Sequence, residues 1–265
     1  MKSNSSNPCI IKIAIHTVLL IIISVIALGI DSNAQTGLRK GEAVIDPADK
    51  QNISGYIHIA FAWGDQLIPP QHMSRGLMNL TSAMNLWTKI ETKIDAHLFL
   101  SSPRLLQMPF VYVTTTDAFE LSETEKKNVK KFFDNGGFMV LETATPLIEN
   151  NQARAALKQM VRDTLGHARF APIPMDHELF HCYFDFEDRP PLGAEIGARG
   201  VFMNKTINYL EGVWYKGRLA AVYSDKGYIV RWTELSNNFP QLKMGINMIV
   251  YSLIQDGGMA SKSTK

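Results

Sequence analysis

Residues 176–185 contain the densest group of side chains that could do chemistry. His177, His181 and Cys182 stand there together with three carboxylates, and these are ligand types that suit zinc or iron. From Phe180 onward, however, apolar and polar residues alternate, which predicts a half-buried strand with Cys182 on its core side. Because a strand would turn His181 away from His177, we predict no metal site and keep these two histidines as the candidate ligands.

A second set of candidates consists of polar and aromatic residues, most of which follow predicted strands. In an open parallel sheet, ligands bind beyond the carboxyl ends of the strands. The candidates for acid or base catalysis are Asp65, Asp117, Glu142 and His177, and those for ligand binding are Trp63, Thr115, Thr143 and Asp225. The same residue types are common in turns and helix caps, so a purely structural role is the competing interpretation.

The end of the fourth predicted strand is where this architecture would place a catalytic nucleophile. A nucleophile elbow needs Ser or Cys flanked by small residues, so that a sharp turn can form. Here Thr143 is β-branched, Glu142 is bulky, and no Gly brackets them, so Thr143 is a weak candidate. Neither a Walker-type phosphate loop nor a G-x-G-x-x-G motif occurs, and we therefore predict no cofactor.

The elements that must position these residues alternate between strands and helices. Apolar runs predict strands at residues 56–62, 94–100, 110–113 and 138–141, and a β-hairpin within residues 211–232. Helices are predicted by apolar periodicity and caps: from Ser74, after the capping box at Ser122, and over residues 146–165 and 241–254. This order predicts an α/β fold, namely a three-layer αβα sandwich with a mostly parallel sheet and a C-terminal β-hairpin.

The N-terminal segment predicts export from the cytoplasm. A basic start precedes an apolar run over residues 13–30, and Ser32 and Ala34 match the small residues that a signal peptidase requires. Residues 1–34 are therefore predicted to be a signal peptide, and the alternative is an uncleaved membrane anchor at residues 13–30. Either interpretation predicts a domain outside the cytoplasm, free in the periplasm or tethered to the membrane.

The rest of the chain is predicted to form one domain. Residues 35–53 are predicted to be a linker, residues 54–256 a single α/β domain, and residues 257–265 a disordered tail. Hydrophobic residues make up 46% of the chain and charged residues 20%, as in ordinary globular proteins. The net charge is +2 and we identify no basic stripe, so nucleic acid is not predicted as a partner.

Six segments, in their order and spacing, resemble the bacterial domain of unknown function 4159 family. They are Arg75-Gly76-Leu77-Met78-Asn79-Leu80, Pro109-Phe110-Val111-Tyr112-Val113-Thr114, Leu121-Ser122-Glu123, Asn135-Gly136-Gly137-Phe138, residues 176–181 and residues 217–225. The family is similar in fold to class I glutamine amidotransferases and to trehalose-utilisation-type proteins, so the resemblance implies a flavodoxin-like fold. It does not imply amidotransfer, because the amidotransferase cysteine would belong near Thr143 and this chain has none there.

The resemblance also bears on partners and on the candidate site. Family members are often encoded beside envelope proteins with von Willebrand factor A-like domains and their associated ATPases, which implies such partners here. The chain departs from the family at two places: Thr115 replaces a glycine that many relatives carry, and Glu142-Thr143 replaces a pair of acids. A site that the family uses at these positions is therefore altered in this chain.

Three functions compete at this point. The first is a non-catalytic binding module of the cell envelope, on an amidotransferase-like fold without the nucleophile. The second is a hydrolase that acts on a sugar or amide substrate through carboxylates and His177, which requires these groups to converge in one cleft. The third is a metal-dependent enzyme, which requires His177, His181 and a carboxylate within reach of one ion.

Overall fold

Strands and helices alternate along the chain. The computed structural model describes residues 40–46, 48–148, 151–194 and 208–260. The strands are β1 Gly41–Asp46, β2 Asp49–Trp63, β3 Lys89–Phe99, β4 Phe110–Thr115, β5 Phe138–Thr143, β6 Ala171–Pro172, β7 Glu211–Tyr215 and β8 Arg218–Ser224. The α-helices are α1 Ser74–Trp87, α2 Glu123–Asp134, α3 Gln152–Leu165, α4 Tyr228–Trp232 and α5 Phe239–Ile254. Single turns of 3₁₀ helix lie at Gln71–Met73, Pro103–Gln107 and Glu178–Phe180.

The strands form one mixed sheet in which the central strands are parallel. β2 pairs in parallel with β3 along one edge and with β4 along the other, and β4-β5 and β5-β8 are also parallel pairs. β1 pairs antiparallel with the first part of β2, while β6, β7 and β8 continue the other end of the sheet in antiparallel order. The predicted α/β fold class, the mostly parallel sheet and the β7-β8 hairpin are therefore confirmed.

Two hydrophobic clusters cover the two faces of this sheet. Successive residues of a strand point to opposite faces, so Phe110 and Tyr112 of β4 enter one cluster and Val111 and Val113 enter the other. Helices α1, α4 and α5 pack into the first cluster, and α2 and α3 pack into the second. The core thus holds the carboxyl ends of the parallel strands at one common edge.

Local sequence determines where α2 begins, as expected. The Ser122 hydroxyl accepts a hydrogen bond from the Glu125 backbone N–H, and the Glu125 carboxylate accepts one from the Ser122 backbone N–H at 2.8 Å. These reciprocal bonds form the predicted capping box, which satisfies two of the N–H groups that a helix start leaves free. Glu125 is fully buried and also accepts a hydrogen bond from the Asp65 backbone N–H, so the cap ties α2 to the loop after β2.

Residues 41–46 and 49–53 differ from the predicted linker at residues 35–53. They form β1 and the first part of β2, an antiparallel pair that extends the sheet with polar, partly exposed residues. Gly55 permits this pairing, because a Cβ atom there would lie 2.1 Å from the Glu42 carbonyl oxygen. The low apolar content of the pair explains why periodicity did not indicate it.

The end of the described chain also differs from the prediction of a tail that starts at residue 257. Met259 and Ala260 are each only 3% exposed, and the Met259 N–H donates to the Gly136 carbonyl. The turn after α5 therefore packs against the end of α2. Residues 261–265 lie outside the described residues, as do residues 1–39, where the signal peptide or anchor is predicted. Among the described helices, none combines the length and apolar character that a membrane span requires.

The predicted strand from Phe180 onward is wrong. The segment consists of turns, because the Asn247 side chain takes the backbone groups that a neighbouring strand would otherwise pair. Its amide donates to the carbonyls of Leu179 and Phe184 and accepts the Phe184 N–H. Cys182 is nevertheless buried, as predicted, and its thiol donates to the Asn247 carbonyl at 3.3 Å.

Candidate functional site

Four sets of candidate residues lie at the common carboxyl edge of the parallel strands. Asp65 follows β2, Thr115 and Asp117 stand at the end of β4, Glu142 and Thr143 end β5, and Asp225 follows β8. The strand register places Thr115 beside Thr143 and Glu142 beside Ser224. These residues therefore share the edge at which open parallel sheets bind ligands. The contacts of each side chain determine what it can do there.

Glu142 is the most enclosed of these candidates. One of its oxygens accepts hydrogen bonds from the Tyr112 hydroxyl at 2.5 Å and from the Ile229 backbone N–H at 2.7 Å. The other accepts from the Ser224 hydroxyl at 2.6 Å. Since Ile229 stands in the first turn of α4, the carboxylate joins three strands to a helix start, where the helix dipole favours negative charge.

Burial and hydrogen bonding have opposite effects on the pKa of Glu142. Complete burial raises the pKa of Glu142, while the bonds from Ser224, Tyr112 and the backbone of α4 lower it. Burial, together with the neighbouring Glu142 carboxylate, raises the pKa of the Tyr112 hydroxyl. With its carboxylate occupied by three donors and closed to solvent, Glu142 is a structural anchor rather than a group that reaches a substrate.

Thr143 does not stand at a sharp turn from strand to helix. The predicted helix from residue 146 begins only at Gln152, and residues 144–148, which follow β5, are not helical. The Asn151 amide donates to the Thr143 hydroxyl and to the Thr145 carbonyl, and its oxygen accepts the Ala153 N–H as the cap of α3. Thr143 is fully buried in this loop network and lacks the exposed geometry of a nucleophile elbow.

The remaining candidates at this edge have smaller roles. Asp65 and Asp117 are exposed, and the Asp117 carboxylate accepts from the neighbouring Thr116 hydroxyl at 2.7 Å. The Thr115 hydroxyl accepts the Asp117 backbone N–H, which is an ordinary turn contact. Trp63 stacks on His97 with ring centroids 4.9 Å apart, and its indole N–H donates to a carbonyl of β3.

An open groove of about 870 Å³ lies beside these residues, between the loops after β2 and β4 and one side of α3. This volume is within the range of small-molecule sites. The lining of the groove combines three cationic side chains, Arg154, Lys158 and Arg162, with one acid, Glu120. The other lining residues are Gln66, Ala118, Phe119, Asn151, Gln152, Ala155, Ala156 and Gln159. We refer to this groove as the basic groove.

Two of the three cations in the basic groove are paired with acids. Arg154 donates to Asp225 at 3.0 Å, and Lys158 forms an ion pair with Glu211. The Arg162 guanidinium lies 5.7 Å from the centre of the Phe170 ring and has no carboxylate partner among the described residues. Asp225, a candidate ligand-binding residue, thus contacts a basic side chain of the groove but is not one of its lining residues.

Sequence reasoning missed the cations of the basic groove. They recur at every fourth residue of α3, which places them along one side of the helix. This spacing was visible in the sequence, so the prediction that the chain carries no basic stripe is wrong. The hydrogen-bond partners of Glu142 were also missed, and for them no local signal exists because they are far away in the chain.

His177 lies at the other end of the sheet. Its ring contacts Trp214 and Tyr251 with centroids 6.2 and 5.4 Å away, and burial lowers the pKa of the imidazole. Trp214 pairs with Leu219 near the start of β8, whereas Glu142 bonds Ser224 at its end. At about 3.3 Å per residue, about 16 Å of strand separates the two ends, so His177 does not share a cleft with Glu142.

His181 has different neighbours from His177. Ligand atoms of His181, Asp185 and Glu187 lie within 4.8 Å of one another, which is a grouping that could surround a cation. The Lys50 ammonium, however, lies 2.6 and 2.7 Å from the two Asp185 oxygens. This contact holds the pKa of Asp185 below its usual range, and His181 contributes further. Lys50 thus supplies the positive charge that a metal ion would bring.

Cys182 is likewise remote from the carboxyl edge. Its side chain is only 5% exposed, and burial raises the pKa of the thiol. A nucleophilic cysteine needs the thiolate form and access to substrate, and Cys182 has neither property.

Comparison with known proteins identifies one family. The family model described as "Domain of unknown function (DUF4159)" matches residues 70–253. Among solved structures, the crystal structure of a ThuA-like protein from Bacteroides uniformis is similar, with 11% sequence identity and a TM-score of 0.37. That similarity covers 76% of this chain and 94% of the other. No curated protein matches the chain.

Proposed function

We propose that this chain, which belongs to the DUF4159 family, is a non-catalytic binding module of the bacterial cell envelope with its ligand in the basic groove. The observation that carries the proposal is an open groove with three cationic side chains at the carboxyl edge of parallel strands. Open α/β sheets bind their ligands at that edge. A small polar anion with carboxylate or phosphate groups is the ligand class, because the Arg162 guanidinium, which has no carboxylate partner among the described residues, can bond it.

We further propose that the domain is a flavodoxin-like αβα sandwich of the class I glutamine amidotransferase type. Within the described residues, five parallel strands lie in the order β3-β2-β4-β5-β8, which is 2-1-3-4-5 when they are counted along the chain. Flavodoxin-like folds have this order and bind ligands where it reverses, between their first and third strands. In this chain the reversal lies between β2 and β4, whose following loops supply Gln66 and residues 118–120 to the basic groove.

The contacts of the candidate catalytic groups favour binding over the alternative, a hydrolase for a sugar or amide substrate. General acid or base catalysis requires a group within hydrogen-bond reach of the substrate. Glu142 is fully buried and its oxygens accept three internal bonds, while His177 packs on Trp214 near the start of β8, and about 16 Å of strand separates that end from Ser224. Asp225, an acid next to the groove, is bonded to Arg154 and to the Tyr223 hydroxyl.

Citrate is a suitable first probe of the basic groove, because it is small and carries several carboxylates. We expect titration calorimetry on the full-length protein to detect saturable binding. Arg162→Gln should weaken it about tenfold, since Arg162 has no carboxylate partner among the described residues. Lys131→Gln, which removes a charge from the far end of α2, is the matched control and should leave the affinity unchanged. Equal loss in both variants would indicate non-specific attraction and would contradict the proposed site.

The same preparation tests the non-catalytic assignment. Chromogenic glycosides and amides should not be turned over by the wild-type protein. Saturable turnover that Asp225→Asn abolishes, while Lys131→Gln retains it, would replace the binding module with the hydrolase.

We also propose that the domain is exported and that residues 1–34 are removed. Support comes from the apolar run at residues 13–30 and the small residues Ser32 and Ala34 that follow it. Fractionation of expressing cells should place the protein in the periplasm, with Gln35 as its first residue by N-terminal sequencing. A full-length protein in the membrane fraction would indicate the anchor instead, and a cytoplasmic protein would refute export. By family resemblance, envelope proteins with von Willebrand factor A-like domains and their ATPases are the proposed partners.

A further inference from the structure

A second pocket, far from the basic groove, is lined mainly by aromatic side chains. It has a volume of about 500 Å³ and lies among Gln51, Trp87, Tyr183, Phe184, Phe239 and Lys243. Four of these six residues are aromatic. We refer to it as the aromatic pocket. Pockets of this volume with apolar walls and few polar groups are typical of small-molecule sites.

The aromatic wall of this pocket is built from three separate parts of the chain. The rings of Trp87, at the end of α1, and Phe239, at the start of α5, stack with centroids 5.6 Å apart. The rings of Phe184 and Trp87 are nearly perpendicular, with centroids 6.5 Å apart, and the Tyr183 hydroxyl donates to the Trp87 carbonyl at 2.8 Å. The wall is therefore held by tertiary contacts, and Phe239 keeps 58% of its surface exposed at the mouth.

The aromatic pocket has one cationic group, which is Lys243. Its ammonium lies 5.0 Å from the centre of the Phe184 ring and has no carboxylate within ion-pair distance among the described residues. The Gln51 amide donates to the Tyr183 carbonyl at 3.3 Å and adds a second polar group. An aromatic wall beside an unneutralised ammonium complements a ligand that combines a flat ring with a negative charge.

This pocket is distinct from the basic groove. Gln51 stands near the start of β2 and Phe184 packs on the cluster of α1, α4 and α5, whereas the groove lies beyond the end of β2 against α3. The two sites are thus at opposite ends of β2 and on opposite faces of the sheet. A ligand in one does not touch the residues of the other.

We propose that the aromatic pocket is a second binding site, which takes an aromatic carboxylate with its ring on the Trp87–Phe239–Phe184 wall and its carboxylate at Lys243. The ring gains apolar burial and edge or face contacts with the wall. The carboxylate gains a charged hydrogen bond from the Lys243 ammonium. Among the described residues, no ion pair of Lys243 has to be broken for this bond to form. The inference is independent of the proposed function, because it rests on different residues.

Naphthoate tests this inference, and naphthamide is the matched neutral ligand. Titration calorimetry on the full-length protein should show saturable naphthoate binding at millimolar or lower concentration. Lys243→Met should weaken naphthoate binding about tenfold, while naphthamide affinity stays unchanged. Phe239→Ser should weaken both ligands. Both residues are exposed, and thermal denaturation checks that each variant keeps the wild-type fold.

Leu235→Ser is the control for non-specific hydrophobic binding, because Leu235 is 96% exposed and does not line the pocket. Leu235→Ser should bind naphthoate with the affinity of the wild type. Arg162→Gln, which alters only the basic groove, should do the same. The proposal is overturned if no saturable binding occurs, if Leu235→Ser loses as much affinity as Phe239→Ser, or if Lys243→Met affects naphthoate and naphthamide equally. Dimerisation that Phe239→Ser abolishes would likewise overturn it, because the wall would then be an interface between two copies of the chain.

Discussion

Glu142→Ala is expected to lower the free energy of unfolding by about 3 kcal/mol, the largest effect of any single substitution at the carboxyl edge. Removal of the carboxylate leaves the Tyr112 hydroxyl, the Ser224 hydroxyl and the Ile229 N–H without their acceptor in the core. Each buried donor without a partner costs about 1–3 kcal/mol, and local rearrangement recovers part of the total. Urea denaturation followed by circular dichroism measures the loss.

Two further variants separate the hydrogen bonds of Glu142 from its charge. Glu91→Ala is the control, because Glu91 is exposed on β3 and its loss should change stability by less than about 0.5 kcal/mol. Glu142→Gln keeps one acceptor and should fall between the alanine variant and the wild type. If Glu142→Ala is as stable as Glu91→Ala, then Glu142 is not an anchor, and its availability for catalysis must be reconsidered.

Glu142 also makes stability depend on pH. Burial raises its pKa in the folded protein above its ordinary value of 4.5, so the folded state binds the proton more tightly than the unfolded chain does. The stabilisation from this proton is fully present below the pKa that Glu142 has in the unfolded chain. It is lost as the pH rises through the pKa that Glu142 has in the folded protein. Glu142→Gln cannot titrate, so its stability relative to the wild type should improve as the pH rises from about 4.5.

Gly76→Ala is expected to lower the free energy of unfolding by about 1–3 kcal/mol, although alanine is the better helix former. A Cβ atom at Gly76 would lie 2.7 Å from the Ile229 carbonyl oxygen and 3.0 Å from the Ile229 Cγ1 atom. Because the first of these is a backbone atom, α4 must move away from α1. Urea denaturation of Gly76→Ala measures the effect. Ser82→Ala is the control, because Ser82 is exposed on α1 and its hydroxyl donates only to the Met78 carbonyl of the same helix.

Substitutions at Gly76 and Glu142 should be energetically coupled through Ile229. Its N–H donates to Glu142 and its carbonyl faces Gly76, so a shift of α4 weakens the bond to the carboxylate. The double variant with Gly76→Ala and Glu142→Gln should therefore lose less free energy of unfolding than the sum of the losses in the two single variants. Strict additivity, or a Gly76→Ala variant that is more stable than the wild type, would contradict the close packing of α4 on α1.

Local sequence determined the elements that have a local cause. The capping box of Ser122 and Glu125 begins α2, and the apolar runs at residues 110–113 and 138–141 become the buried strands β4 and β5. Parallel strands with polar residues at their ends also implied that Asp65, Asp117 and Asp225 would gather at one edge, and they do. These predictions succeeded because period, cap and strand direction are properties of neighbouring residues.

Tertiary structure alone decided what the candidate residues do. Glu142 is an anchor because Tyr112, Ser224 and Ile229, which are 30, 82 and 87 residues away in sequence, surround it. The segment after Phe180 is not a strand because Asn247, on a later helix, binds its backbone. The basic groove and the aromatic pocket likewise form only where distant segments meet. A residue's partners in the core depend on the packing of the whole chain, and no local pattern of spacing encodes them.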